Sequence, residues 1–505
     1  MSFTLTFGQE GNCATAQVVW SVDGKTYDFR SDNNFVAWIS TIFTVADVVA
    51  GGGGSELVTS NQLPPVQGGV GNLWAEYGTA GSVVGNARGV GAVDWQQNRN
   101  LATEVASGLQ STVGGGGANT ASGDGSTVGG GGLNNALDLG STVAGGGLNT
   151  ASGQYATVGG GQSNTASGQY ATASGGRTNT ASGSYATIGG GKLNTASFYA
   201  STIGGGYNND ATGNYTTVGG GYQNTVSATY ATVGGGNDNS ASSVASTVSG
   251  GYNNIASGNN SFVGGGYNNT ASGYCSKVGG GKTNTASSTY ATVGGGESNT
   301  ASGNNATVGG GNSNTASGSN ATVGGGYQNT ASAGYATVMG GYQNTASAGY
   351  ATVMGGYQGL ADRWGMVAHA SGQFSSKGDA QAVEFVARNE TDDTNTSVLF
   401  LNGSSTSFAV TNNSVLSGIC TISGFSTSGT KVGIYQRSIS IKNVGGTTTL
   451  VHSSTISTDH EDDPTWAVSI TANNTTDSLQ IACTGSTGDT VRWVAVFRGL
   501  QILMP

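Results

Sequence analysis

Residues 321–335 read ATVGGGYQNTASAGY, and residues 336–350 read ATVMGGYQNTASAGY. The same fifteen-residue phrase recurs with local substitutions from about Ser111 to Gln358, and its phase never slips. Of the seventeen positions spaced by fifteen from Val113 to Val353, all hold Val or Ile except Ala173. The sixteen positions from Asn119 to Asn344 in the same rhythm are all Asn, and the column from Gly115 to Gly355 is Gly throughout. A fixed period with fixed columns is what a solenoid requires, because coils stack and one side chain must fit the same slot at every level. No Gly-X-Y triplet runs through the stretch, which excludes a collagen helix. Fifteen residues are too few for a helical-hairpin repeat but suffice for a coil of two short strands and two turns.

The Ala-Thr-Val piece alternates as a strand does, so Ala and Val share one face and Thr takes the other. Turning that face inward buries Val113, Val128, Val158, Val218 and Val233 in one column. The Gly-Gly-Gly corner supplies positive backbone angles for one turn, and Asn-Thr-Ala-Ser-Gly supplies the second. Asn119, Asn134, Asn149, Asn164, Asn224 and their equivalents then form a structural ladder of amides able to hydrogen-bond from coil to coil. The fold class expected is all-β, with a parallel β-roll of fifteen-residue coils at its centre. A roll this thin has little interior to offset the entropy of ordering its backbone, so association with further copies is expected.

These residues carry a resemblance. The phrase NTASGQYATVGGG, residues 149–161, resembles the head repeats of trimeric autotransporter adhesins, whose three chains form parallel β-rolls around one axis. The resemblance implies a homotrimer, and it covers about half the chain.

The 505-residue chain carries 26 acids against 16 bases. Residues 109–358 hold five acids and four bases, whereas residues 1–108 are net −5 and residues 359–505 net −4. A nearly uncharged rod between acidic ends has no basic stripe for nucleic acid or an anionic membrane. The start, Met1-Ser2-Phe3-Thr4, lacks the basic and apolar regions of a secretory signal. The most apolar run, Phe35 to Ala50, is interrupted by Ser40, Thr41, Thr44 and Asp47, so no membrane insertion is expected.

The expected organisation is a small N-terminal attachment domain in 1–50, a linker and solenoid cap in 51–108, a shaft of seventeen repeats in 109–358, a junction in 359–381 and a C-terminal β-sandwich in 382–505. Residues 72–108 resemble the lead-in to such repeats in bacteriophage tail proteins, with Trp74, Tyr77 and Trp95 expected to cap the open roll. The sandwich is read from short β-type runs between turns, among them Val415 to Ile422, Leu479 to Cys483 and Val491 to Phe497. KGDAQ (377–381) with TGDTVRWVAVFR (487–498) resembles the C-terminal domains of phage tail fibres and tailspikes. Both resemblances imply a virion protein made in the host cytoplasm and released by lysis.

Candidate chemistry is sparse. Four cysteines have no metal-ligand spacing, and Cys420 and Cys483 read as buried thiols or as one disulfide. The run Asp459-His460-Glu461-Asp462-Asp463 could hold calcium but reads first as a solvated loop. The Gly-rich corners lack the Lys-Ser/Thr of a phosphate loop. The roll offers only Asp124, Asp138, Asp210, Asp238 and Glu297, scattered where a glycosidase needs facing carboxylates. Two columns hold most tyrosines; Tyr335, Tyr342, Tyr350 and Tyr357 are the most closely spaced candidates for receptor contact. The expectation is therefore a trimeric tail fibre or tailspike mediating adsorption, not an enzyme, with no cofactor or metal. Its partners are other virion proteins through the N-terminal domain and a glycan or protein of the host surface. The alternatives are a glycan-depolymerising tailspike and a capsid-attached fibre; host and receptor stay open.

Overall fold

A computed structural model describes residues 4–7, 16–19 and 88–503. The chain divides into two compact units, Met1–Val58 and Thr59–Pro505. In the first unit Thr4–Phe7 pairs antiparallel with Ala16–Val19, Thr4 opposite Val19. The rest of the expected attachment domain lies outside the described residues, as do Trp74 and Tyr77. The described residues contain strands and turns and no helix.

The second unit is built on a parallel β-solenoid. Each coil gives one Thr-Val and one Thr-Ala strand, each two residues long and paired with its equivalent fifteen residues on. Val218 thus lies beside Val233, and Val226 beside Ala241. A third parallel ladder of single bridges runs from Asn98 with Gly117 to Tyr342 with Tyr357. In one coil Gly219, Tyr222 and Thr225 donate their amides to the carbonyls of Val233, Gly236 and Asn239 above, each at 2.9 Å. Two expected ladders are therefore three. The Asn, Thr and Ala of the phrase belong to the second strand region, and the turn falls on Ser-Gly-x-Tyr instead. Two corners use the left-handed region without glycine, as at Gln223 (φ 53°) and Tyr230 (φ 62°). Glycine is obligatory where coils touch: a Cβ on Gly236 would sit 2.2 Å from the Gly251 carbonyl oxygen.

The interior is filled by small side chains. The Val column, the Ala column containing Ala121 and Ala241, and the Asn column are all fully buried within one chain. Among the described residues stacking spans nineteen rungs, from Val93–Asp94 to Val367–Ala370. The bounds 109–358 follow the written period, whereas the pairing runs further at both ends because backbone hydrogen bonds carry it. At the first rung Trp95 is half exposed and closes nothing. Asp94 is buried there instead, 3.0 Å from Arg99 Nη2, and Gln96 Oε1 accepts the Asn119 amide at 2.8 Å, the place an earlier Asn would fill. At the other end the Asn344 side chain accepts from Gly359 N at 2.7 Å. The Gln381 amide closes the second ladder by bonding Leu360 N (2.9 Å) and Leu360 O (2.8 Å).

Val367–Ala370 turns the parallel stack into an antiparallel sheet, pairing on its far side with Ala380–Asp392. That sheet continues through Thr490–Leu503, Ser414–Ser426 and Val432–Val444, with Thr447–Thr455 and His460–Glu461 along the last strand. A smaller antiparallel sheet gathers Thr396–Val398, Phe408–Ala409 and Ala467–Asn473 around Ser478–Thr484. The inner faces meet through Phe385 against Phe408 (ring centroids 4.3 Å apart) and Trp466 against Trp493 (5.2 Å). Four strands of the larger sheet run 13 or 14 residues, longer than the sequence runs suggest, and in two of them a glycine makes room for an aromatic ring. A Cβ on Gly424 would lie 2.4 Å from Trp493 Cζ3, and one on Gly433 2.9 Å from Trp466 Cε3.

Candidate functional site

The ladder residues share one geometry. Asn224 Nδ2 donates to Gly220 O and Gly236 O, both at 2.9 Å, while its backbone amide donates to Asn209 Oδ1 at 2.9 Å. Asn119 does the same with Gly115 O and Gly131 O, and Asn134, Asn149 and Asn164 each take the preceding Asn Oδ1 at 2.9–3.1 Å. Each buried amide therefore pins its own glycine corner, the next corner and the next backbone, and every polar atom finds a partner. Val113, Val128, Val158, Val218 and Val233 lie beside this ladder with no exposed surface. These columns build the shaft and present nothing to solvent.

The four tyrosines form two separate stacks. Tyr335 lies on Tyr350 (4.8 Å, 4° between planes), and Trp364, a residue sequence reasoning left aside, extends that column against Tyr350 at 4.8 Å. Tyr342 lies between Tyr327 (5.1 Å) and Tyr357 (4.9 Å, 6°). The four rings are 38–52% exposed. Stacking at this spacing covers the ring faces and leaves edges and hydroxyls outward, so the ladders offer a rim more than a flat platform for a sugar. Between the columns the last two repeats replace a glycine by Met339 and Met354, each more than half exposed. The twice-written ATVMGG was the visible signal for them.

At the C-terminal sheets the acidic run is committed to protein partners. Arg437 grips Asp459 with both terminal nitrogens (2.5 and 2.7 Å), Tyr435 donates to Glu461 at 2.8 Å, Val432 N to Asp462 at 2.9 Å, and Lys431 to Asp463 at 2.8 Å. The Lys431 ammonium, with Thr465, holds the Asp463 carboxyl well below the usual range. Burial and the Glu461 carboxylate push the Tyr435 phenol up. Among the described residues no three potential ligands converge on a metal position. Cys420 and Cys483 are both buried and free, and burial raises the Cys420 thiol to about 12. Where shaft meets sheets, Arg363 is almost buried, donating to Gln501 Oε1 at 2.8 Å and to Thr411 Oγ1. Beside it the Asp379 carboxylate resists the upward pull of burial by accepting the amides of Ser376, Ser375 and Phe374. A shallow depression over Thr103, Ser107, Thr120, Ser122, Asn135 and Leu137 holds no titratable group.

No protein-family model and no curated protein matches the chain. Among solved structures it is similar to the tailspike protein gp49 of Acinetobacter baumannii bacteriophage Fri1, described as a capsular polysaccharide depolymerase, at 9% identity over 73% of this chain and 70% of that one, TM-score 0.17. The tailspike of Acinetobacter baumannii phage AM24 is similar at 8% identity over 72% and 78%, TM-score 0.21. The expectation that the chain is not an enzyme is accordingly withdrawn, since a depolymerase stands among its neighbours. That expectation rested on the scattered acids of the repeats. It rested also on reading the run 459–463 as a solvated loop and passed over Asp489, whereas the fold gathers Asp459, Glu461, Asp463 and Asp489 around Lys431, Tyr435 and Arg437.

Proposed function

We propose that the chain is a phage adsorption protein, a tailspike or tail fibre of the virion that works as a homotrimer. Residues 1 to about 108 attach it to other virion proteins, and residues from about 360 to 505 meet a glycan or protein of the host surface. The observation that carries this reading is the junction. One hydrogen-bonded sheet runs from the solenoid through Val367–Ala370 into Ala380–Asp392, and Arg363 and Gln381 tie the last coil to the C-terminal strands. A shaft fused in this way to its terminal sheets suits a protein that must hold a contact surface at a fixed distance and angle. The repeated, nearly neutral coils suit a spacer, because every level offers the same surface. Three copies of a weak site on one such tip bind a repetitive glycan far more tightly than one copy does.

The test is binding of the full chain and of a chain ending at Gln358 to a panel of bacterial strains and their purified surface polysaccharides. The full chain is expected to bind a subset and to block infection; the shortened chain is expected to do neither. Binding by the shortened chain moves the contact to the tyrosine columns. Reducing-end release measured on the same polysaccharides distinguishes adhesion alone from adhesion coupled to cleavage.

A further inference from the structure

The two C-terminal sheets turn very different outer faces to solvent. The smaller one shows Ser469, Thr471, Gln480 and Thr484. The larger shows Ile419, Phe425, Ile434, Val494, Leu500 and Ile502, each 41–57% exposed. Register places these on one surface: Thr421 lies opposite Val496, Ser423 opposite both Val494 and Ile434, and Val415 opposite Ile502. Apolar side chains thus recur across this face between serines, threonines and ion-paired charges, and large apolar groups gathered in number on one exposed side of a sheet mark a surface that is covered in use.

We infer that this face is where a second copy of the chain docks. The inference rests on the proposal that the protein self-associates and names the surface that does it. Its size fits: four strands of 13 or 14 residues, at ~3.3 Å per residue and ~4.8 Å between strands, give a face of roughly 800 Å². That is about what each partner contributes to a specific, stable interface, ~800 Å². Its charge fits as well. The chain carries a net charge of −10, so most encounters between copies are repulsive. This face carries Arg388, Arg492, Arg498 and Lys442 against Glu384, Glu390 and Asp392, so an acidic copy that docks there meets no net negative charge. Its ion pairs, Arg492 with Glu390 at 2.7 Å and Arg498 with Glu384 at 2.8 Å, are exposed and can re-pair with charges of the neighbouring copy. A polar outer face on the other sheet leaves that sheet free for solvent or a ligand.

The experiment is the mass of the full chain in solution, by light scattering across a dilution series, for wild type, Val494→Asp, the uncharged pair Val494→Thr with Leu500→Thr, and Thr471→Asp as control. Circular dichroism reports folding of each. The inference expects an assembled wild type, a folded Val494→Asp chain that is monomeric, a dissociation concentration raised at least about tenfold by the uncharged pair, and no change for Thr471→Asp. A charged variant that loses its fold leaves the decision to the uncharged pair, whose side chains lie on the surface. An assembled wild type whose Val494 and Leu500 variants stay assembled overturns the docking surface while self-association stands. A wild type monomeric at every concentration overturns self-association, and the docking surface with it.

Discussion

The shaft and the C-terminal sheets are both all-β and share one continuous sheet, yet they are specified in opposite ways. The shaft repeats one small solution: a valine, two small residues and an asparagine fill each coil, and each backbone bonds its equivalent fifteen residues away. The C-terminal sheets solve a single large problem once. Ala380 pairs with Ile502 across most of the unit, and the core depends on individual large rings, Phe385, Phe408, Trp466, Trp493 and Phe497. The shaft therefore tolerates the loss of whole units but no loss of phase. The sheets tolerate neither the loss of a ring nor a change of register.

The sharpest way to break this comparison is to disturb phase. Deleting residues 219–225, seven in number, sets every later column against the wrong slot, and the shaft is expected to lose its cooperative melting. Deleting all of 219–233 is expected to leave two intact transitions in circular dichroism. Next in size is Phe385→Ala, which removes the ring packed on Phe408 and Arg363. It is expected to destabilise the C-terminal sheets by about 3–5 kcal/mol while the shaft melts unchanged. Asn224→Leu removes the amide that bonds Gly220 O and Gly236 O, the latter keeping only Tyr222 N, and leaves the Asn239 amide without its acceptor. A cost on the order of 3 kcal/mol is expected, read as a lower shaft melting temperature with the C-terminal transition unmoved.

Acid should separate the two regions more gently. The carboxyls of Asp463 and Asp379 titrate below their ordinary range in the folded chain. Their stabilisation is thus complete above the unfolded value of about 4 and is lost progressively as pH falls below it. The shaft has only five acids in 250 residues. Between pH 7 and pH 3 the C-terminal transition is expected to move down while that of the shaft holds. Smallest of all is Thr232→Ser on the outward side of a shaft strand, expected within about 0.5 kcal/mol of wild type by thermal melting.

Much of the shaft was legible because each column is written many times: the Val and Asn slots could be read as columns before any coordinate. The third ladder was not legible, since its positions hold Gly, Gln, Arg, Lys, Tyr, Asn and Glu in turn and the one feature common to all of them is backbone pairing. Nor was the turn at Tyr230, because tyrosine gives no sign of a positive φ; neighbouring rings and coil closure hold it there. In the C-terminal unit the alternation marked strands but not their length. Gly418, Gly424, Gly433 and Gly499 look like turns in the sequence and are strand interiors in the fold. The carboxylates gathered around Lys431 and Arg437 come from the 459–463 run and from Asp489, and only strand pairing brings them together. A search for paired acids along the repeats could not find them.

The central claim is that fifteen residues make one coil of a shaft rigidly joined to its terminal sheets. It is tested most directly by removing residues 219–293, five whole phrases that restore the column phase at Gly294, and imaging the intact and shortened chains by electron microscopy. At ~4.8 Å per coil the shaft is expected to shorten by about 24 Å, with the C-terminal sheets and their attachment to the last coil unchanged. A shaft of unaltered length, or one that no longer folds, would contradict the account.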